Sequence, residues 1–154
     1  MYTQDLLEAL KDDARRIARS HPSELERHRT TAGTGVDAAS AVAAYDWQAF
    51  NELLAIDRAP EDGVIEEDAL ADFRERIDRY MSAHLPGNEG FRDYVRTVSV
   101  YLAFIARRPL HPPGMKFSGG KEIALVEGIW RCPGKNAYAG EPASLCRYCV
   151  CKSY

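Results

Sequence analysis

Residues 89–108 read EGFRDYVRTVSVYLAFIARR, and this stretch decides the fold class. Phe91, Tyr94, Val95, Val98, Tyr101, Leu102 and Ile105 recur at helical spacing, so one helix face is continuously apolar. Val100, Ala103 and Phe104 widen that face, which places the segment at the centre of a helical core. Its aromatic residues read as a core seam rather than as a ligand box. Arg107 and Arg108 close it, where cations favour a helix C-terminus.

Four more helices are expected upstream. The first runs from a Thr3 cap to about Ser20, with Leu6, Leu7, Leu10, Ala14, Ile17 and Ala18 on one face. His21-Pro22 stops it and opens a short second helix, which ends in the loop Thr30-Thr31-Ala32-Gly33-Thr34-Gly35. Asp37 caps a third through about Asp57, with Val42, Tyr45, Phe50, Leu53, Leu54 and Ile56 as its apolar positions. A fourth, from about Glu66 to His84, has the seam Leu70, Phe73, Ile77, Tyr80 and Met81. His21, His28 and His84 fall at helix ends or on polar faces, which predicts surface positions.

The pattern changes at Pro109. Pro-Leu-His-Pro-Pro-Gly cannot be helix, because prolines lack the donor and restrict the residues before them. Two short β-type runs follow, 123–126 and 129–131, joined by a Glu127-Gly128 turn. The hairpin delivers Cys132 at its end, directly before a Pro133-Gly134 turn. Gly114-x4-Gly119-Gly120-Lys121 resembles a phosphate-binding loop, but Gly120 occupies the lysine slot and a strand follows instead of a helix. The expected architecture is mainly α: about five helices in one bundle-like domain, with a small C-terminal β-hairpin and a cysteine-rich tail. Residues 1–108 form the helical body and residues 109–154 the appendage.

All four cysteines, Cys132, Cys146, Cys149 and Cys151, lie in that appendage, spaced Cys-x13-Cys-x2-Cys-x-Cys. Cys146-x2-Cys149 is a metal-knuckle spacing. Cys132-Pro133-Gly134-Lys135 resembles half of another, with lysine where a second cysteine would stand. The pattern reads as one metal site, with zinc favoured and an iron–sulfur cluster as the alternative. A redox pair of Cys149 and Cys151 is the third reading. His111, in the stiff proline loop, is a possible ligand or outer partner, with Arg107 and Arg108 beside it.

Of 154 residues, 45% are hydrophobic and 28% charged, the profile of a soluble globular protein. No apolar run approaches the roughly 20 residues that span a bilayer, and the opening residues lack a signal-peptide pattern. A cytoplasmic protein is expected. In that compartment clustered cysteines favour metal or redox chemistry over structural disulfides. Residues 107–154 hold eight Lys and Arg against three Glu, a net +5, which leaves −8 for the rest of a chain at −3. That asymmetry offers an anionic partner a surface, or it compensates buried thiolates. The absence of a basic helix or interleaved aromatic stripe argues against nucleic acid.

Two segments carry a family resemblance: Tyr101-Leu102-Ala103-Phe104-Ile105-Ala106-Arg107-Arg108-Pro109-Leu110-His111-Pro112-Pro113-Gly114-Met115, and Cys132-Pro133-Gly134-Lys135 with Ser144-Leu145-Cys146-Arg147-Tyr148-Cys149. Together they resemble an uncharacterised archaeal family found largely in methanogens, domain of unknown function 2115. The likeness covers roughly the last third of the chain. It implies a cytoplasmic protein of strict anaerobes and brings no activity with it. It rests on Cys132, Cys146 and Cys149 rather than Cys151, which leaves His111 as a substitute fourth ligand.

Overall fold

Helix α1 (Thr3–Ser20) buries Leu6, Leu7, Leu10, Ala14 and Ile17 in the face that their spacing sets. This is a computed structural model, and it describes residues 1–35 and 37–154. Two details of α1 differ from the sequence reading. Tyr2 stands at the N-cap, while the Thr3 hydroxyl donates to the Glu61 carbonyl at 3.0 Å and accepts from the Gly63 N–H at 3.1 Å. Thr3 therefore ties the helix start to a distant loop. Ala18 is exposed, and Lys11 is buried in the wall of the bundle. Its ammonium donates to the Ile56 carbonyl at 2.6 Å, where the end of the next long helix favours a cation.

Helix α2 (Pro22–Ala32) begins on proline as expected. His28 does not sit free on the surface. Its ring stacks on Tyr94 at 3.9 Å and on Phe91 at 5.4 Å between centroids, with Nε2 2.8 Å from a Glu24 oxygen. Helix α3 (Ala38–Ala55) is capped by Asp37, whose carboxylate accepts from the Ser40 N–H at 2.8 Å. Helix α4 (Glu67–His84) buries Leu70, Phe73, Ile77 and Met81, whereas Tyr80 is 53% exposed and packs beside His84. Helix α5 (Glu89–Val100) is capped by the Asn88 side chain. It touches α1, α3 and α4, which is the central position its composition demands.

The expected helix to Arg108 changes its winding on the way. Tyr101–Ile105 is a π-helix, and the Ala106 N–H bonds the Tyr101 carbonyl, five residues back, at 2.8 Å. The Arg108 N–H then reaches the Leu102 carbonyl at 3.0 Å, with Arg107 at a φ of 52°. All five π-helical side chains are buried, so the wider turn is packed on every side. Such turns recur at functional sites. Here it aims residues 109–114 toward the cysteine-bearing segment.

The C-terminal part holds β1 (Ala124–Val126) paired antiparallel with β2 (Ile129–Arg131). Glu127 and Gly128, with φ of 50° and 77°, make the two-residue turn whose twist suits such a hairpin. The glycine-rich run before it is also a turn: the Phe117 N–H bonds the Lys121 carbonyl, and residues 116 and 122 form a bridge. It opens no helix, in keeping with the rejected phosphate loop. A four-residue helix, α6 (Lys135–Tyr138), completes the fold. The core is one cluster of helical side chains, and a smaller cluster gathers Ile123, Cys132 and Cys151.

Arg107 is exposed and left-handed without being glycine, a conformation that costs an L-residue roughly 1–2 kcal/mol. Arg107→Gly is expected to stabilise the protein by up to about 1 kcal/mol, partly offset by glycine's freedom in the unfolded chain. Urea denaturation would register this as a higher midpoint at unchanged slope.

Candidate metal centre and its cavity

Cys132 follows β2 directly, so the hairpin fixes its position. Its N–H donates to the Lys152 carbonyl at 2.9 Å, and the Lys152 N–H donates to the Trp130 carbonyl at 2.8 Å. The chain end thus runs parallel to β2 and brings Cys151 beside Cys132. The Pro133-Gly134 turn directs the N–H groups of Gly134 and Lys135 at the Cys132 sulfur. A Cβ at Gly134 would lie 3.0 Å from the Phe117 ring, so a larger residue there would require the ring to shift by a few tenths of an ångström. Around Cys146 the chain turns twice: its N–H bonds the Ser144 hydroxyl at 3.0 Å, and the Cys149 N–H bonds the Cys146 carbonyl at 3.2 Å.

Side chains from the helical body hold this segment down. Arg76 of α4 pairs with Asp72 at 2.8 Å and donates to the carbonyls of Glu141, Pro142 and Ser144. Tyr148 donates to Asp72, and its ring meets Phe73 edge-on at 5.5 Å. Lys135 donates to the carbonyls of Cys146 and Cys149. Tyr45 of α3 donates to the Pro109 carbonyl at 2.7 Å and so locates the proline loop.

The result is a cavity of about 530 Å³ between α3, α4, α5 and the C-terminal segment, and all four cysteines line it. None is in a disulfide. Cys132 and Cys151 are buried, whereas Cys146 and Cys149 are half-buried. The Cys151 thiol is the neighbour with the largest influence on the Cys149 sulfur, favouring its thiolate. The N–H groups of Cys151 and Leu110 and the nearby Lys135 ammonium add to this, and together they outweigh burial and hold Cys149 below the usual thiol range. Cys151 is pushed up in turn by Cys149, by burial, and by the charge of Cys132. Burial raises Cys132 too, against the two N–H groups that face it.

The donor chemistry suits a thiolate-bound metal, and what the four cysteines share is one cavity wall. N–H groups aimed at Cys132 and Cys149 are the outer support that metal thiolates use. The spacing is wider than ligation requires: among the described residues, no three Cys, His, Asp or Glu side chains stand close enough to hold one ion. The sulfurs would have to draw together around one. His111 lines the same cavity from an exposed position at its rim. The two arginines point elsewhere. Arg107 turns back to the Ala103 carbonyl at 3.4 Å, and Arg108 pairs with Glu52 at 3.1 Å.

Three participants escaped the sequence reading: Arg76, Tyr45 and Asp46. Arg76 carries no local signal, because its carbonyl partners lie 65 to 68 residues away. Asp46 lines the cavity from α3. Its only sequence signal is an acid set between Tyr45 and Trp47 on an apolar helix.

The model of an archaeal family described as "Uncharacterized protein conserved in archaea (DUF2115)" matches residues 2–154. The chain belongs to that family. A UPF0305 protein of Methanocaldococcus jannaschii is 37% identical over 108 residues, 69% of this chain and 65% of the relative. One from Methanothermobacter thermautotrophicus is 30% identical over 104 residues, 66% and 63% of the two chains. A third, from Methanococcus maripaludis, is 39% identical over 92 residues, 60% and 56%. In each case the match spans less than two thirds of the relative's length. No solved structure is significantly similar to the chain. No helix among the described residues is long and apolar enough to cross a membrane.

The carbonyl clamp leads to a direct expectation. Arg76→Ala removes three donations to the C-terminal segment and leaves Asp72 with Tyr148 alone. Trypsin should then cut after Arg147 at least about fivefold faster, because local opening becomes easier, while helical circular dichroism holds. Unchanged cleavage would mean that the segment is held without Arg76.

Proposed function

We propose that Cys132, Cys146, Cys149 and Cys151 form one metal–thiolate centre, with zinc the favoured ion, that fixes the C-terminal segment against the helical body. The observation that carries this reading is the lining of one cavity by all four thiols, with backbone N–H groups directed at two of them. A divalent ion bound there would supply the attraction that draws the sulfurs together. An iron–sulfur cluster is the alternative for the same donors, and His111 at the rim is the substitute ligand should one thiol stay out. The protein's own part is clear from its residues. Lys135 holds the carbonyls of Cys146 and Cys149 in place, Leu110 donates to Cys149, and the hairpin sets Cys132.

Arg76, Lys135 and Tyr148 anchor the segment through the protein alone. The metal's contribution in this proposal is therefore to order the cysteine turns rather than to create the docked segment. Anaerobically purified protein should be colourless and carry about one zinc per chain by elemental analysis. Cys146→Ser should drop the content below about half of that, with helix content preserved. A brown protein containing iron and sulfide would select the cluster. Full metal retention in the mutant would remove Cys146 from the site.

The mutual influence of the Cys149 and Cys151 thiols, two residues apart, favours a second reading, a thiol redox pair. Oxidation would join the two sulfurs, with two electrons and two protons passing to an acceptor disulfide that is thereby reduced to two thiols. In metal-free protein near neutral pH, iodoacetamide should label Cys149 well before Cys132 and Cys151, since the thiolate is the reacting form. Peptide mass spectrometry reads the order. Equal labelling of the three would remove the basis of this reading.

A further inference from the structure

The cavity contains one charged group that the fold does not use. Asp46 faces it from α3, and among the described residues its carboxyl has neither a hydrogen bond nor an ion pair. The two cations in the same wall are committed: Lys135 to the Cys146 and Cys149 carbonyls, Arg76 to Asp72 and three carbonyls. Most of the remaining wall is apolar, with Val42, Ile77, Met81, Phe91 and Val95 facing inward. Phe91 and Val95 belong to the apolar seam of α5, yet they remain half-buried while Tyr94 and Val98 of the same helix are buried. Both line the cavity, and each also packs against the core, Phe91 with His28 stacked on its ring.

The sign of the charge follows from the same residues. An unpartnered carboxyl in low-dielectric surroundings is disfavoured as an anion, and burial pushes Asp46 up to about 7. A positive group beside it would reverse that by giving the charge a partner. The cysteines do not change the sign: thiolates alone are negative, and four thiolates around a divalent ion still sum to about −2. At the Asp46 end, which lies on α3 and has no cation paired to it among the described residues, an anion would meet repulsion and a cation attraction.

We propose that this cavity binds a small, mainly apolar molecule bearing one ammonium group, with its hydrocarbon against α4 and α5 and its ammonium on the Asp46 carboxylate. A volume of about 530 Å³ lies within the roughly 300–1,000 Å³ usual for small-molecule sites, and a few placed polar groups in an apolar wall is their usual chemistry. The site does not require the proposed metal, because Asp46 and the helical wall belong to the body of the fold.

The test uses the full chain as purified and three probes of similar shape: n-hexylammonium, n-hexanol and n-hexanoate. Isothermal titration should show hexylammonium binding at least about tenfold more tightly than either of the others. Methyl resonances of Ile77, Met81 and Val95 should shift on binding. Asp46→Asn keeps the shape and breaks no bond seen in the fold, and it should abolish the preference. Ser99→Phe, which fills the cavity from α5, should abolish binding of all three probes, and it decides the matter should the Asp46 variant fail to fold. Metal-depleted Cys146→Ser protein should keep the hexylammonium preference, which separates this site from the thiolate centre. Equal affinity for hexanol or hexanoate, no binding of any probe, or undiminished binding to Ser99→Phe would each overturn the proposal.

Discussion

The Tyr101 hydroxyl donates to the Glu52 carboxylate at 2.5 Å, and Arg108 donates to both oxygens of that carboxylate at 3.1 Å. One acid on α3 thus holds the first residue of the π-helical turn and a residue three positions past its last. Hydrogen bonds to a charged group contribute about 1.5–3 kcal/mol each in such settings, and the partial exposure of this pair places it toward the lower end. The consequences extend beyond that contact. The turn sets where Pro109 leaves the bundle, Tyr45 secures the Pro109 carbonyl, and the next residue, Leu110, presents its N–H to Cys149. A displaced turn would misplace the proline loop and, with it, one of the donors that stabilise the thiolate.

The C-terminal segment illustrates how a chain poor in apolar residues can still be ordered. Few of its side chains are buried, yet its carbonyls are taken up by Arg76 of the helical body and by Lys135 of the segment itself. Charged groups that satisfy backbone acceptors at an interface supply direction as well as energy. The short β2–Lys152 pairing adds backbone closure. Together these make a shelf of turns over the cavity, which a hydrophobic criterion alone would assign to loop.

The helical part was legible because its signals are local. Spacing of Leu6, Leu10, Ala14 and Ile17, or of Phe73, Ile77 and Met81, follows from helix geometry within a few turns, and Asp37 and the Glu127-Gly128 turn carry their own conformational preferences. Lys11 was missed because its partner, the end of α3, lies 45 residues away. Phe91 and Val95 share the seam's spacing with Tyr94 and Val98, so no periodicity could mark them as facing a cavity. The π-helical winding is equally silent, since five apolar residues in a row satisfy either helix. Crowding of the cysteines pointed to a shared location, and all four do line one cavity. Their separations depend on turns whose details the spacing does not encode.

The order in which these contacts can form has a consequence of its own. The helices close over a few residues each, whereas Arg76 finds its carbonyls 65 to 68 positions along the chain. Loop closure over such distances precedes any reward from the contacts it makes, and it is favourable only when the receiving surface already exists. The bundle is therefore the template and the cysteine segment the late arrival. Until it docks, four thiols are held on a mobile tether. Any exchange with oxidants or stray metal ions competes in that interval, which ends only when the long loop closes and Arg76 reaches its carbonyls.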